Sequence, residues 1–376
     1  MRYTNALIYR SRSGFERGSF EVRDGRFAQV MFGDDITDTG EDIDLGGRCV
    51  IPGLVDIHIH GCAGADCLDE DTDGSGDMAS YLASCGVTSF LPTLASASKD
   101  VLERVCETAG SPDHTSGAAR SRILGLRMEG PYLSPDRKGS QNPDNLCKPN
   151  IEQFRRLNEL AGGQIRMIDI APELDGAGAF IREASRISRV SVAHTMADYE
   201  TAAAAFEAGA SHVTHLYNAM PGIHHRDPGV IGAASELEYV TAEIICDGIH
   251  VHPGAVRMAF KLFPGRICLI SDSIRCCGMP DGEYEFGGLT VRKDSGAAYL
   301  QDGHLAGSAV DLWQCLCNAV SFGIDIADAI DAATITPAMV AGVGDRIGMI
   351  LDGYYADFIV CNRDLTGPEV YLSCLR

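Results

Sequence analysis

Two histidines, His58 and His60, stand one residue apart in the segment PGLVDIHIHG, residues 52–61. Successive side chains of an extended strand point to opposite faces, so Asp56, His58 and His60 are predicted to share one face. The apolar side chains between them are predicted to share the other face: Val55, Ile57 and Ile59. Two imidazoles on one face are compatible with two ligands for one metal ion. They are equally compatible with a polar strand edge, because so short a motif often occurs by chance.

Other side chains that can bind a metal or move a proton stand at the ends of further apolar runs. They are Glu129, His194, His215, Asp247, His250 and Asp272. Each alone has a structural explanation, but together they form a set suited to zinc, iron, cobalt or manganese. Glu129 has two oxygens and can bridge two ions. A coordinated cation lowers the pKa of bound water to about 7, and Asp272 can accept and return a proton, so the set indicates metal-assisted hydrolysis.

Eight short apolar runs carry or flank these residues, and most are followed by a helical stretch. They read LVDIHIH, VTSFLPT, ILGLRME, IRMIDIAPE, VSVAHT, HVTHLYN, VTAEIICD and ICLISDS. Eight such units predict an α/β protein with a (β/α)8 TIM-like barrel, whose strand ends converge on one face. A doubly wound open sheet is the alternative, although no glycine-rich dinucleotide turn follows the first strand. The alanine-rich segment from Asp198 to Gly209 predicts one of the helices.

Both ends of the chain differ from this pattern and consist of short strand-like runs. The segment RDGR carries the Asp-Gly signal of a β-hairpin. We therefore predict a small β-sandwich domain built from residues 1–51 and 341–376, with the metallohydrolase barrel over residues 52–340.

Composition narrows the possible partners. The chain has 376 residues, a mean hydropathy of −0.01 and a formal net charge of −21, which argues against nucleic acid or an anionic membrane as partner. The N-terminal segment lacks an apolar stretch long enough for a signal peptide, so a cytoplasmic location is expected. Fourteen cysteines scattered through apolar segments indicate reduced, buried thiols. Cys276 and Cys277 either touch a metal or belong to a loop packed against a strand end.

Several longer stretches, in this order along the chain, resemble the amidohydrolase superfamily, and within it the deacetylases of amino-sugar phosphates. They are PGLVDIHIHG, LRMEGPYLSPDRKGSQNP, the segment from VAHTMADYE to DPGVIGAA, ICDGIHVHP, LISDSIR, LAGSAVDL and GYYADFIV. The resemblance implies that Glu129, His194 and His215 bind the main metal. Members with His-x-His in the first strand hold a second ion, which assigns His58 and His60 to it.

The resemblance also implies the remaining roles. Asp272 is the general acid and base and also faces the metal. The pocket for the sugar phosphate is lined by Ser140, Gln141, Asn218, Ala219, Arg226, Asp247, His250, Leu305, Ala306 and Gly307. One or two divalent ions per subunit (Zn, Fe, Co or Mn) are implied as cofactor. Gln141 stands where some relatives have a histidine, so substrate contacts there differ.

The implied reaction is hydrolysis of N-acetyl-D-glucosamine 6-phosphate to D-glucosamine 6-phosphate and acetate, in amino-sugar catabolism. The same chemistry on N-acetylgalactosamine 6-phosphate or another cyclic amide is one alternative, and a non-catalytic sugar-phosphate sensor is another. Arg226 offers a planar fork of donors that suits a phosphate. Relatives are dimers, so a homodimer is implied, in which Arg226 serves its own site or that of the neighbouring subunit.

Overall fold

A parallel sheet forms a nearly closed barrel at the centre of the computed structural model, which describes residues 1–33, 42–69, 74–109 and 120–373. Eight strands follow one another around it in chain order: β6 (Leu54–Ile59), β9 (Val87–Ala95), β11 (Leu126–Tyr132), β12 (Ile165–Ile170), β13 (Arg189–Val192), β14 (His212–Val213), β15 (Thr241–Ile245) and β16 (Ile267–Ile270). A short strand, β10 (Arg122–Ile123), also pairs with β9. Just beyond β16, the amide N–H of Asp272 donates to the carbonyl of His58 at 2.9 Å. The predicted barrel is confirmed, and each of the eight predicted runs contributes one strand.

Helices cover the barrel between its strands. Their bounds are α1 (Gly74–Ser84), α2 (Lys99–Ala109), α3 (Ile151–Leu160), α4 (Ala177–Ala184), α5 (Tyr199–Ala208), α6 (Gly229–Ser235), α7 (Pro253–Leu262), α8 (Leu312–Ser321), α9 (Ile326–Ala333) and α10 (Ile335–Val340). The predicted helix is α5: the Asp198 side chain accepts from the N–H of Thr201 at 2.8 Å, and Gly209 ends the helix with φ of 122°. Among the described helices, none has the length and apolar character that crossing a membrane requires.

Strands from both ends of the chain form a second, mixed sheet. They are β1 (Arg2–Arg10), β2 (Gly14–Arg23), β3 (Arg26–Phe32), β4 (Ile43–Asp44), β5 (Cys49–Pro52), β21 (Phe358–Cys361) and β22 (Glu369–Tyr371). The predicted hairpin joins β2 to β3 through Asp24 and Gly25, whose φ values of 50° and 69° suit a tight two-residue turn. The β-structure from both termini is thus confirmed, while the domain boundaries 1–51, 52–340 and 341–376 stay a prediction.

A four-stranded antiparallel sheet follows the last barrel strand and was not predicted. Its strands are β17 (Gly282–Phe286), β18 (Leu289–Asp294), β19 (Ala297–Leu300) and β20 (Leu305–Ser308). The amide of Ser308 donates to the carbonyl of Asp272 at 2.7 Å. Gly307 has φ of 55°, and a Cβ there would lie 2.5 Å from Ile274 and 3.1 Å from the Asp272 carbonyl. Glycine therefore permits β20 to approach the end of β16 closely.

Two short strands, each of two residues, pair with each other just after the first barrel strand. They are β7 (Gly61–Cys62) and β8 (Ala65–Asp66). Within β6 the predicted alternation is interrupted, because its pairing with β9 changes register between Asp56 and Ile59. Val55 and Ile57 pack in one hydrophobic cluster, whereas Ile59 packs in another. The expectation that Ile59 shares their face is therefore wrong, since a register irregularity re-aims side chains.

All thirteen cysteines in the described part of the chain are free, and Cys374 lies outside it. Cys276 and Cys277 are buried in hydrophobic clusters. Of the two interpretations for this pair, the structure therefore supports packing of a loop against a strand end.

Candidate metal centre and active site

Six side chains from five barrel strands converge at the carboxyl end of the barrel. They form two groups whose ligand atoms lie within 4.8 Å of one another, His58 with His60 and Asp272, and Glu129 with His194 and His215. The Glu129 carboxylate also contacts the group to which it does not belong. Its Oε1 is 3.1 Å from His194 Nε2 and 3.0 Å from His215 Nε2, and its Oε2 is 3.1 Å from His60 Nε2. All six side chains are buried.

The outer nitrogens of the imidazoles fix how the rings are presented. His60 Nδ1 lies 3.0 Å from the carbonyl oxygen of Thr93, and His194 Nδ1 lies 2.8 Å from that of Arg137. A carbonyl oxygen only accepts, so each Nδ1 carries a proton. In the neutral ring, Nε2 then presents a lone pair toward the other members of its group.

The Nε2 atoms within each group lie unusually close together. The Nε2 atoms of His58 and His60 are 3.3 Å apart, and those of His194 and His215 are 3.0 Å apart. Where these nitrogens present lone pairs, they and the carboxylate oxygens repel one another at such distances unless a proton or a metal cation lies among them. Imidazole and carboxylate donors are also the ligands that borderline divalent ions take in proteins. The donor set therefore fits a divalent metal ion, while the role of each residue as a ligand stays a prediction.

Three of the six residues have a left-handed backbone, each two residues beyond the end of a strand. The φ values are 44° for His194, 26° for His215 and 46° for Asp272. Such conformations in residues other than glycine cost about 1–3 kcal/mol and persist where the surroundings enforce them, often at functional sites. The strained turns direct these side chains inward instead of letting the strands continue.

The electrostatics of Glu129 favour a charged carboxylate. Burial alone would raise its pKa, but the imidazoles of His58 and His194, when protonated, hold the pKa well below its usual range. Gln141 adds a hydrogen bond, since its Nε2 donates to Glu129 Oε2 at 2.5 Å. At neutral pH this carboxylate is therefore available to a cation.

A buried ionic network that was not predicted from the sequence lies beneath the six side chains. The guanidinium of Arg127 donates to Glu243, to Asp169 Oδ2 at 2.9 Å and to Thr214 Oγ1 at 2.9 Å. Arg127, Glu243 and Asp169 are all fully buried. Burial would raise the pKa of Glu243, but Arg127 and His58 hold it well below the usual range. The available signal was a charged residue inside each of three apolar strand runs, namely Arg127, Asp169 and Glu243. A charge buried inside a barrel must find a partner of opposite sign.

Replacing Arg127 by methionine is expected to lower the free energy of unfolding by about 3–5 kcal/mol, because two buried carboxylates lose their cation. Urea denaturation followed by circular dichroism measures the loss. The matched control is Arg292→Met, since that arginine pairs with Asp294 at 2.9 Å on an exposed strand, where a change of less than about 0.5 kcal/mol is expected. A loss as small as in the control would contradict the pairing.

The structure places several of the predicted substrate residues beside the six side chains. Gln141 contacts Glu129 directly, and β20, with Leu305, Ala306 and Gly307, adjoins the end of β16. His250 Nδ1 lies 2.6 Å from Asp247 Oδ2, while two backbone N–H groups donate to the other oxygen of Asp247. These hydrogen bonds close the loop that follows β15.

Other predicted substrate residues stand farther out on the loops. Asn218 and Ala219 follow the strand that carries His215. The backbone N–H of Asn218 donates to the His215 carbonyl at 2.9 Å, and the Ala219 carbonyl accepts from the backbone N–H of Thr195 at 3.0 Å. Ser140 is half-buried next to Gln141. Arg226 is exposed in a surface turn, where its Nη1 lies 2.7 Å from His225 Nε2. The structure therefore does not bring Arg226 into the buried cluster.

Phe286 is a further neighbour of the cluster that was not predicted from the sequence. Its ring meets the ring of His60 edge to face with centroids 5.0 Å apart, and it is buried. Phe286 ends β17 in the sheet that was not predicted, so no pattern within the sequence pointed to this contact.

The fold and the converging side chains agree with a family comparison. The model of the amidohydrolase family matches residues 49–373, and the chain belongs to this family. The resemblance drawn from the sequence motifs is thereby confirmed.

Similarity to particular members extends over most of the chain. It is 37% identical over 333 residues to N-acetylglucosamine-6-phosphate deacetylase of Bacillus subtilis (strain 168), covering 87% of this chain and 83% of that protein. It is 32% identical to N-acetylgalactosamine-6-phosphate deacetylase of Escherichia coli O157:H7, covering 86% of each. Among solved structures, a mutant of N-acetyl-D-glucosamine-6-phosphate deacetylase from Mycobacterium smegmatis in complex with N-acetyl-D-glucosamine-6-phosphate matches with a TM-score of 0.91 and 30% identity, over 99% of this chain and 98% of that one.

Proposed function

We propose that this chain hydrolyses the acetamide of N-acetyl-D-glucosamine 6-phosphate, releasing acetate and D-glucosamine 6-phosphate in amino-sugar catabolism. The observation that carries the proposal is the convergence of two metal-competent groups around the Glu129 carboxylate. The relatives that act on this substrate by name support the choice of sugar phosphate.

Glu129, His194 and His215 would hold the main ion, and His58 with His60 would hold a second one, with Asp272 facing both imidazoles of that pair at 3.4 and 3.5 Å. A divalent cation held there, when bound, polarises the amide carbonyl and makes a water molecule nucleophilic at neutral pH. Zinc, iron, cobalt and manganese all suit these donors.

Asp272 is proposed to move the proton. Its carboxylate takes a proton from the attacking water as the new C–O bond forms on the acetyl carbon. It returns that proton to the amine nitrogen as the C–N bond breaks. His250, held by Asp247 through its Nδ1, presents its other ring nitrogen for a contact with the substrate. Ser140, Gln141, Asn218, Ala219 and residues 305–307 are proposed to contact the sugar, and Arg226 the phosphate.

Metal-replete protein is expected to release acetate from N-acetyl-D-glucosamine 6-phosphate, and much more slowly from N-acetyl-D-glucosamine, because the second sugar lacks the phosphate that Arg226 can bind. An enzyme-coupled acetate assay measures both rates. Tight binding of the phosphorylated sugar by metal-replete protein without acetate release would favour a sensor and overturn the proposal.

N-Acetyl-D-galactosamine 6-phosphate is the second candidate substrate. The similarity to the Escherichia coli O157:H7 protein named for that activity favours it. The two sugars are epimers, so the same metal groups and Asp272 could serve both. The ratio of kcat/KM for the two epimers decides between them.

The homodimer, the cytoplasmic location and the number of ions per subunit stay predictions. The exposure of Arg226 is compatible with a role in a neighbouring subunit's site. Metal analysis of freshly purified protein would identify the ions and their number.

A further inference from the structure

Glu243 contacts both groups of the candidate metal centre from below. It lies on β15, is fully buried, and its Oε2 is 3.0 Å from His58 Nδ1. The same oxygen is 3.3 Å from the backbone nitrogen of His215. One carboxylate oxygen thus accepts from a residue of each group, although it does not face the centre itself.

The contact with His58 selects one form of its imidazole. An ionised carboxylate only accepts, so Nδ1 of His58 carries the proton and Nε2 presents a lone pair. That Nε2 lies 3.3 Å from His60 Nε2 and 3.4 Å from both Glu129 Oε1 and Asp272 Oδ1. The opposite form of the ring would place a proton where a metal ligand is needed.

The other oxygen of Glu243 is also occupied, so the carboxylate is held in one orientation. Glu243 Oε1 accepts from Arg127 Nη1 and lies 2.9 Å from His212 Nε2. Arg127 Nη1 further donates to the carbonyl of Ile57 at 3.1 Å, next to His58 in the chain. The guanidinium of Arg127 therefore fixes both the Glu243 carboxylate and the strand that carries His58.

We propose that Glu243, clamped by Arg127, is a positioning residue that holds His58 in the form whose Nε2 can bind a metal ion and anchors the backbone of His215. A negatively charged partner on Nδ1 also makes Nε2 a better donor to a cation. The proposal rests on the proposed function in one respect, that the centre binds a divalent cation.

The test compares Glu243→Gln with the unmodified protein. The amide has the size of the carboxylate. Arg127 only donates hydrogen bonds, so the amide oxygen must face Arg127 and the amide NH2 must face His58 Nδ1. A donor at Nδ1 favours the form of His58 that carries its proton on Nε2. The affinity of metal-free protein for zinc, measured by competition with a chromogenic chelator, is expected to fall about 10- to 100-fold. Nitrogen-15 NMR of the metal-free protein is expected to show the His58 proton moving from Nδ1 to Nε2, and kcat is expected to fall more than KM changes.

Asp169→Asn is the matched control, because Asp169 binds the other side of the same guanidinium, with Arg127 Nη2 at 2.9 Å. It is expected to lower stability while leaving zinc affinity and the His58 proton as in the unmodified protein. Glu243→Asp provides a second variant should Glu243→Gln fail to fold. It keeps a charge for Arg127 but shortens the reach to His58, so zinc affinity is again expected to fall.

The outcomes separate the two proposals. If the unmodified protein binds none of zinc, iron, cobalt and manganese, the proposed function fails. If the unmodified protein binds zinc and the Glu243 variant that folds binds it equally well, with the His58 proton still on Nδ1, then the positioning role of Glu243 is overturned and the proposed function stands.

Discussion

Asp272→Asn is expected to lower kcat by about 10²–10⁴-fold, because an amide cannot take a proton from water and return it to the leaving amine. The side chain keeps its size, and the hydrogen bonds of the Asp272 backbone to His58 and Ser308 do not involve the carboxylate. The position of the side chain is therefore expected to persist. Steady-state acetate release, with metal content measured on the same samples, provides the comparison.

The variant is expected to keep its main metal ion, since Glu129, His194 and His215 form a group without Asp272. Asp302→Asn is the matched control: Asp302 lies in the exposed turn between β19 and β20, and its replacement is expected to leave kcat unchanged. A near-normal kcat for Asp272→Asn with full metal content would show that another group moves the proton.

Glu129→Gln is expected to abolish metal binding at both groups and with it the activity. The carboxylate touches His194 and His215 through one oxygen and His60 through the other. The neutral amide removes the negative charge and turns one oxygen into a donor. Losing a hydrogen-bond partner of a metal ligand already lowers metal affinity about 10- to 100-fold. Losing a ligand that both metal ions share is expected to lower metal affinity further.

Metal content after dialysis and zinc affinity by chelator competition measure the effect of this change. Glu152→Gln makes the same substitution at an exposed helix position that pairs with Arg155 at 2.7 Å, and it should leave metal binding intact. Retention of two ions by Glu129→Gln would mean that the carboxylate is not shared. Retention of one ion would assign Glu129 to the other group alone.

Local sequence patterns were enough to predict the elements of the barrel. The eight apolar runs became β6, β9 and the strands from β11 to β16, and Asp198 and Gly209 delimit α5 as predicted. Caps, turn residues and apolar periodicity depend on interactions between residues a few positions apart. The local sequence is therefore enough to predict them. The candidate ligands were identifiable for the same reason, because each follows or ends a strand-like run.

The four-stranded antiparallel sheet and the interruption in β6 could not be predicted from such local patterns. Residues 282–308 contain short alternating runs, but their place beside Asp272 depends on contacts of Ser308 and Gly307 with the end of β16. The register of β6 depends on its partner β9. Pairing between strands is decided by which surfaces become buried together, and a change of one residue reverses the faces.

The sequence by itself determined the eight barrel strands, the ends of α5 and the types of side chain offered at the barrel's carboxyl end. Only the tertiary structure decided that Glu129 contacts both groups, and that Glu243 and Arg127 meet beneath His58. These partners are separated by up to 185 residues along the chain. Closure of the barrel brings them within hydrogen-bond distance, and burial then makes each unpaired charge costly enough to fix its partner.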